Sequence, residues 1–197
     1  MEYLEKLKQI ANKNHIPIIK DEGCDFLIEF CKKHQPKQIL EIGTAVGYSG
    51  SFMLNSSKDS FLTTIEINKN SYNTAKETFK QQNLENRVNC ILGDAKQVIS
   101  LIKGSFDLIF LDGPKGQYLA YYDTLKQLLK KGGYIIADNV YFHGLVRGDE
   151  FVKHKLRTLV VNLRKFLEHI QNDSDVEAQI LDVGDGIAVI KKLSDWR

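Results

Sequence analysis

Ile39-Leu40-Glu41-Ile42-Gly43-Thr44-Ala45-Val46-Gly47-Tyr48-Ser49-Gly50 is a short apolar run that meets a glycine turn and then opens into a helix-type segment. Strand, turn and helix in that order place backbone amides at a helix N-terminus, and glycine there lets a ligand approach the main chain closely. Gly43 and Thr44 line the turn. Gly43 and Gly47 lie four residues apart rather than in the G-x-G-x-x-G spacing, which counts against a dinucleotide pyrophosphate, the ligand that needs the tightest approach. Glu41 puts an acid at the strand end, where a cationic or amino-bearing ligand is favoured over a phosphate.

The same alternation continues on both sides. Strand candidates are 38–43, 61–67, 87–93, 106–112 and 133–139, and helix candidates are 49–57, 69–82, 95–102 and 117–130. Alternating units of this kind predict a parallel sheet with helices on both faces, and unbroken apolar runs such as Ile135-Ile136-Ala137 fit strands covered on both sides. After a long charged helix candidate, 149–171, two further runs, 179–183 and 187–192, are separated only by Gly184-Asp185-Gly186. That gap cannot hold a crossover helix, so the last two strands are expected to form an antiparallel hairpin. The expectation is a doubly wound, Rossmann-like α/β sheet of seven strands, mostly parallel, forming a single domain over 1–197, with 1–35 as an N-terminal helical addition.

Composition agrees. With 43% hydrophobic and 26% charged residues the chain is ordinary globular material, which argues against collagen-like, disordered and coiled-coil readings. Its net charge of +2 does not mark a nucleic-acid coat, although a local basic face is compatible with it. Cys24, Cys31 and Cys90 have no metal-type spacing and read as reduced thiols of a cytoplasmic protein. The polar start, Met1-Glu2-Tyr3-Leu4-Glu5-Lys6, predicts no signal peptide, and no apolar stretch approaches the roughly 20 residues of a membrane helix.

Acids mark the ends of the following strands. Thr63-Thr64-Ile65-Glu66 places a carboxylate where it can accept both ribose hydroxyls of an adenosine ligand, and Gly93-Asp94-Ala95 is placed to meet an adenine edge. Open α/β sheets bind ligands at these carboxyl ends, and S-adenosylmethionine fits this pattern better than NAD. Further on, Leu111-Asp112-Gly113-Pro114-Lys115 and Ala137-Asp138-Asn139 end neighbouring strands. Two carboxylates and one amide oxygen are hard ligands suited to Mg²⁺, Mn²⁺ or Ca²⁺. Helix capping by Asp112 and Asn139 is the plain alternative, but it leaves Asp138 without a purpose. A lysine beside a divalent cation is pushed toward its neutral form, so Lys115 can act as general base.

These motifs resemble the cation-dependent O-methyltransferases, the family of catechol and caffeoyl-coenzyme A O-methyltransferases. The resemblance runs from His15-Ile16-Pro17-Ile18-Ile19 to Gly184-Asp185-Gly186-Ile187-Ala188, through Leu40–Ser49, Gly93-Asp94-Ala95, Asp112-x-x-Lys115 and Asp138-Asn139-Val140. Lys115-Gly116-Gln117-Tyr118, the run 138–146 and Val183-Gly184-Asp185-Gly186 are most similar to the bacterial branch that methylates 5-hydroxyuridine at the tRNA wobble position. The resemblance implies the methyltransferase variant of the doubly wound sheet. It implies S-adenosylmethionine contacts from Ile19, Ser49, Glu66, Asp94, Ala95 and Asp112, and a metal held by Asp112, Asp138 and Asn139. Lys115 would sit at the acceptor oxygen, and the protein would be a homodimer. The family's Asp-Ala-Ala-Lys or Asp-Ala-Asp-Lys loop is here Asp112-Gly113-Pro114-Lys115, which stiffens the approach to Lys115.

Catechol and 5-hydroxyuridine both present two adjacent oxygens that can chelate one metal, so wall and surface must distinguish them. Arg147, Lys153, His154, Lys155, Arg157, Arg164 and Lys165 mark a basic segment able to follow the phosphates of a tRNA anticodon region, or merely a solvated helix face. Tyr141, Phe142 and His143 could stack on an exposed base or belong to the core. The leading expectation is tRNA methylation. A catechol-type small-molecule methyltransferase, a non-catalytic ligand- or RNA-binding module and an NAD oxidoreductase are the alternatives.

Overall fold

The computed structural model describes residues 2–148 and 152–194. The apolar runs become strands buried on both faces: β1 (Gln38–Ile42) is exposed only at its first residue, and β4 (Phe106–Leu111) is almost wholly buried. With β2 (Phe61–Glu66), β3 (Val88–Leu92), β5 (Leu129–Asp138), β6 (Val176–Leu181) and β7 (Ile187–Lys192) they form a seven-stranded sheet ordered β3-β2-β1-β4-β5-β7-β6. β7 is antiparallel to both β5 and β6, so the terminal hairpin is present and its second strand lies inside the sheet, leaving β6 at the edge. Residues 1–98 and 99–197 form two compact units. Among the described residues no helix is long and apolar enough to cross a membrane.

In the first unit, α1 (Glu2–Lys13) and α2 (Asp21–His34) pack on α3 (Tyr48–Ser56). Helix α2 places Asp21 and Glu22 in its first turn and Lys32, Lys33 and His34 in its last, complementing the helix dipole at both ends. Its inward face buries Cys24, Leu27 and Cys31. All three cysteines are free, and burial pushes the Cys24 and Cys31 thiols up to about 12. Asn68 caps α4 (Lys69–Gln81) by accepting the amides of Asn70 and Ser71 at 2.9 and 3.0 Å. The helix expected over 95–102 is shorter: α5 covers Ala95–Val98, and a 3₁₀ turn, Ile99–Leu101, finishes it.

In the second unit, α6 (Tyr118–Leu128) ends early because Leu129 already pairs with Phe106. Lys130 Nζ then reaches Asp107 at 2.8 Å across a bulge, so β5 begins four residues before the expected position, 133. The long charged helix, α7, runs His154–Asn172; the expected start at 149 lies outside the described residues. β6 starts at Val176, ahead of the expected 179, because the main chain beside it is already held where the Leu193 amide donates to the Asp175 carbonyl at 2.8 Å.

Candidate functional site

In the first unit the ends of β1, β2 and β3 are tied together at Glu66. Its Oε2 accepts the Ala45 amide at 2.8 Å and its Oε1 accepts the Asn68 amide at 2.7 Å, while its own carbonyl takes the Gly93 amide at 2.8 Å. The carboxylate is 9% exposed and fixed in orientation. Each oxygen keeps a further lone pair, which suits two vicinal hydroxyls. The turn that supplies Ala45 is left-handed at Gly43, Ala45 and Gly47 (φ 101°, 46° and 79°). A Cβ on Gly47 would also lie 3.2–3.3 Å from Phe79 and Ala75, so glycine is required there by conformation and by the approach of α4.

Glu41 does something other than what its position suggested. It is 0% exposed, and its carboxylate accepts hydroxyls from Ser49 at 2.5 Å and Thr64 at 2.7 Å. Thr64 lies beside Glu41 in the β1–β2 register and is within 2.6 Å of the Thr44 hydroxyl. Direct contact with a cationic or amino-bearing ligand is therefore not what this geometry provides. A carboxylate at the base of the turn is compensated from inside and holds Ser49 in place. Thr64 was not singled out in the sequence, because a threonine in a strand is ordinary; only the pairing register puts it against Glu41. Asp94 caps α5, its Oδ1 accepting the Lys96 amide at 2.9 Å, and Ala95 is half-buried beside it. Ile19 is buried in the link between α1 and α2.

In the second unit Asp112 follows β4 directly and Asp138 ends β5, with Leu111 paired to Ala137. Lys115 Nζ donates to Asp112 Oδ1 at 2.5 Å. Asp138 is 3% exposed. Burial, reinforced by the nearby Asp112 charge, pushes its carboxyl up to about 6 against the opposing pull of Lys115 and of the Asn139 amide, which donates to it at 2.8 Å. Asn139 follows in a left-handed conformation (φ 55°), which asparagine tolerates. Among the described residues no group of three or more His, Cys, Asp or Glu side chains is placed to hold a metal ion; the set here is two acids and one amide. Two carboxylates at neighbouring strand ends, one raised by burial and by the charge of the other, form a site that a hard divalent cation would relieve, so the donor chemistry fits Mg²⁺, Mn²⁺ or Ca²⁺.

The Lys115 turn is held from two directions. Asn162 of α7 donates to the Gly116 carbonyl at 3.0 Å, and Tyr118 donates toward the carbonyls of Leu111 and Asp138 at 2.9 and 3.1 Å. In the sequence Tyr118 entered only as part of the Lys115-Gly116-Gln117-Tyr118 run, with no role of its own, and Asn162 reads as a helix position like its neighbours.

The loop after Asn139 is fastened to the hairpin turn. Tyr141 is buried, donates to Asp182 at 2.9 Å and stacks against the Arg147 guanidinium, 3.4 Å from the ring centre; Arg147 also pairs with Asp182. A Cβ on Gly186 would fall 2.4 Å from the Tyr141 ring, so this packing exists only with glycine there. Tyr141 is thus a packing residue, whereas His143 is exposed. Of the basic residues, Arg164 donates to the carbonyls of Val146, Leu145 and Gly148 at 3.0, 3.1 and 2.6 Å. Arg147, Lys155, Arg157 and Arg164 are all exposed, but Arg147 and Arg164 each fasten the 141–148 loop, while Arg157 donates Nε to the Val152 carbonyl at 3.2 Å near the start of α7.

The sequence profile of the O-methyltransferase family matches residues 1–193. A caffeoyl-CoA O-methyltransferase of Medicago sativa is 30% identical over 208 residues, covering 98% of this chain and 82% of that protein. Among solved structures, a Bacillus cereus O-methyltransferase in complex with SAH is 27% identical, with a TM-score of 0.86 over 98% of this chain and 91% of that one. A Staphylococcus aureus structure, described as a candidate caffeoyl-CoA O-methyltransferase, is 30% identical, with a TM-score of 0.90 over 96% and 91% of the two chains. A match over nearly the whole length, on a sheet of the same kind, identifies the chain as a member of the O-methyltransferase family, with relatives of the caffeoyl-CoA type.

Proposed function

We propose that this O-methyltransferase transfers the methyl group of S-adenosylmethionine to the 5-hydroxyl of 5-hydroxyuridine at the tRNA wobble position, giving 5-methoxyuridine, with a divalent cation, Mg²⁺ by preference. The reading takes residues 1–197 as one domain that works as a homodimer in the cytoplasm. The observation that carries it is the packing of α7 on the Lys115–Gln117 turn. That helix opens with Lys153, His154, Lys155 and Arg157 and has no acid in its first turn. Positive charge at a helix N-terminus opposes the macrodipole, a local cost that phosphate binding would offset.

S-adenosylmethionine supplies an electrophilic methyl group, and Glu66 would hold its ribose hydroxyls while Asp94 and Ala95 meet the adenine. Asp112, Asp138 and Asn139 would hold the cation, whose charge would favour the ionised form of the acceptor hydroxyl. Lys115 Nζ, restrained by Pro114 before it and by Asn162 behind it, would take the hydroxyl proton as the neutral amine and become the ammonium that pairs with Asp112. The buried strand ends around Asp138 exclude water from its carboxylate.

The kinship with caffeoyl-CoA-type enzymes favours a second reading, a small catechol-type acceptor, since the same chain residues serve any pair of adjacent oxygens. Nucleoside analysis of tRNA from a strain lacking this protein distinguishes the two. Loss of 5-methoxyuridine-type nucleosides is expected, and an unchanged nucleoside profile would leave the catechol reading.

A further inference from the structure

Tyr118 opens α6 three residues after Lys115 and has no exposed surface. Its hydroxyl lies 2.9 Å from the Leu111 carbonyl and 3.1 Å from the Asp138 carbonyl. Leu111 immediately precedes Asp112, and Asp138 is itself one of the two acids. A phenol has one proton, so a single shared donor bridges the ends of β4 and β5 where both carboxylates leave the sheet. The ring is set edge-on against Phe166 of α7, with centroids 5.6 Å apart. That packing fixes the hydroxyl from the helix side.

The geometry points to Tyr118 as a positioning residue that sets the separation of the Asp112 and Asp138 carboxylates and so the affinity for the divalent cation. The inference rests on the metal reading given above. A coordination shell tolerates little error in the placement of its oxygens, and partners that orient metal ligands typically contribute about 10- to 100-fold in affinity. Phenylalanine at this position keeps the volume and the packing on Phe166 and removes only the bridge.

Tyr122 provides a matched control. It lies one turn further along α6, is equally buried, packs on the same Phe166 and donates its hydroxyl to Asp173 at 2.8 Å, within a different set of neighbours. The experiment is a Mn²⁺ titration, followed by the electron-spin signal of the free ion, of the parent, Tyr118→Phe, Tyr122→Phe and Asp138→Ala. No S-adenosylmethionine or acceptor is added, and the Tm of each protein is measured alongside. Mn²⁺ should bind the parent, bind Tyr118→Phe about 10-fold more weakly, bind Tyr122→Phe as it binds the parent, and fail to bind Asp138→Ala. In turnover, Tyr118→Phe should need correspondingly more Mg²⁺ for half-maximal rate yet reach a similar kcat at saturation. Equal Mn²⁺ affinity in Tyr118→Phe and parent overturns the inference and leaves the metal reading standing. Equal weakening in both tyrosine variants also overturns it, because the effect then follows stability. A parent that binds no Mn²⁺, or an Asp138→Ala variant that binds it as well as the parent, overturns the metal reading and the inference with it.

Discussion

Asp138 combines burial with a like charge nearby, and the two effects together raise its carboxyl from 3.8 to about 6. The sign follows from linkage: the folded state holds this proton more tightly than the unfolded state. Its contribution to stability is therefore greatest below pH 3.8 and declines as pH rises through about 6. In the presence of chelator at pH 8, Asp138→Asn should accordingly stabilise the protein by about 1–3 kcal/mol, read by thermal denaturation, while abolishing methyl transfer. A lower Tm for the variant at pH 8 would contradict burial as the source of the shift. At Glu66, two amides already orient the carboxylate. Glu66→Ala should weaken S-adenosylmethionine by about 1.5–3 kcal/mol, on the order of 10- to 150-fold in Kd. Titration calorimetry with unchanged affinity would place the ribose elsewhere.

Among the elements, α7 carries both the proposed phosphate-facing residues and a structural one, at different points along its length. Lys155 and Arg157 are exposed near its start, with Arg157 Nε on the neighbouring Val152 carbonyl, and the exposed Arg164 secures the carbonyls of 145, 146 and 148 in the loop that follows Asn139. Replacing Lys155 and Arg157 together by alanine should raise the KM for tRNA. The log–log salt dependence should become shallower by about 0.7–0.9 for each phosphate the variant no longer neutralises. Activity on a free catechol should hardly change. Arg164→Ala should impair both substrates, since it frees the loop rather than a phosphate. Steady-state kinetics on the two substrates at several salt concentrations separates these outcomes, and equal losses in the Lys155/Arg157 variant would make the whole helix structural.

Across the second unit, several elements meet at a buried ion pair. Lys126 of α6 donates to Asp173 at 2.6 Å, Tyr122 shares that carboxylate, and Asp173 leads into β6. Burial works to raise the Asp173 carboxyl, but the Lys126 ammonium, the Asp175 amide and the Tyr122 hydroxyl outweigh it and hold the group below its usual value. The stability it contributes is present above the ordinary carboxylate range and is lost as pH falls through the lowered value. Lys126→Met strands a buried carboxylate and should cost about 3–5 kcal/mol at pH 7. The difference from the parent should shrink toward pH 3, where the acid can be neutralised. Urea denaturation at both pH values tests this, and a loss independent of pH would point to packing instead. For the protein as a whole, excess chelator should abolish methyl transfer and added Mg²⁺ or Mn²⁺ should restore it; full activity in chelator would exclude the metal reading.

Periodicity and chain length made the architecture legible. Apolar runs of strand length alternate with amphipathic segments, and a three-residue gap such as Gly184-Asp185-Gly186 leaves room only for a hairpin, so the sheet and the direction of its last strands follow from local pattern. The acids at strand ends were legible for the same reason, because a strand end is a position along the chain. What a side chain faces is set by register and packing, which depend on residues far away in sequence. Glu41 faces Thr64 because β1 and β2 pair in one register, Arg164 faces carbonyls because α7 lies along the 145–148 loop, and Tyr118 reaches two strand ends because α6 starts beneath them. Nothing local distinguishes these residues from a ligand-binding acid, a phosphate-binding arginine or a core tyrosine. The fold was therefore written in short-range spacing, whereas the roles of individual side chains were decided by long-range packing that only the folded chain creates.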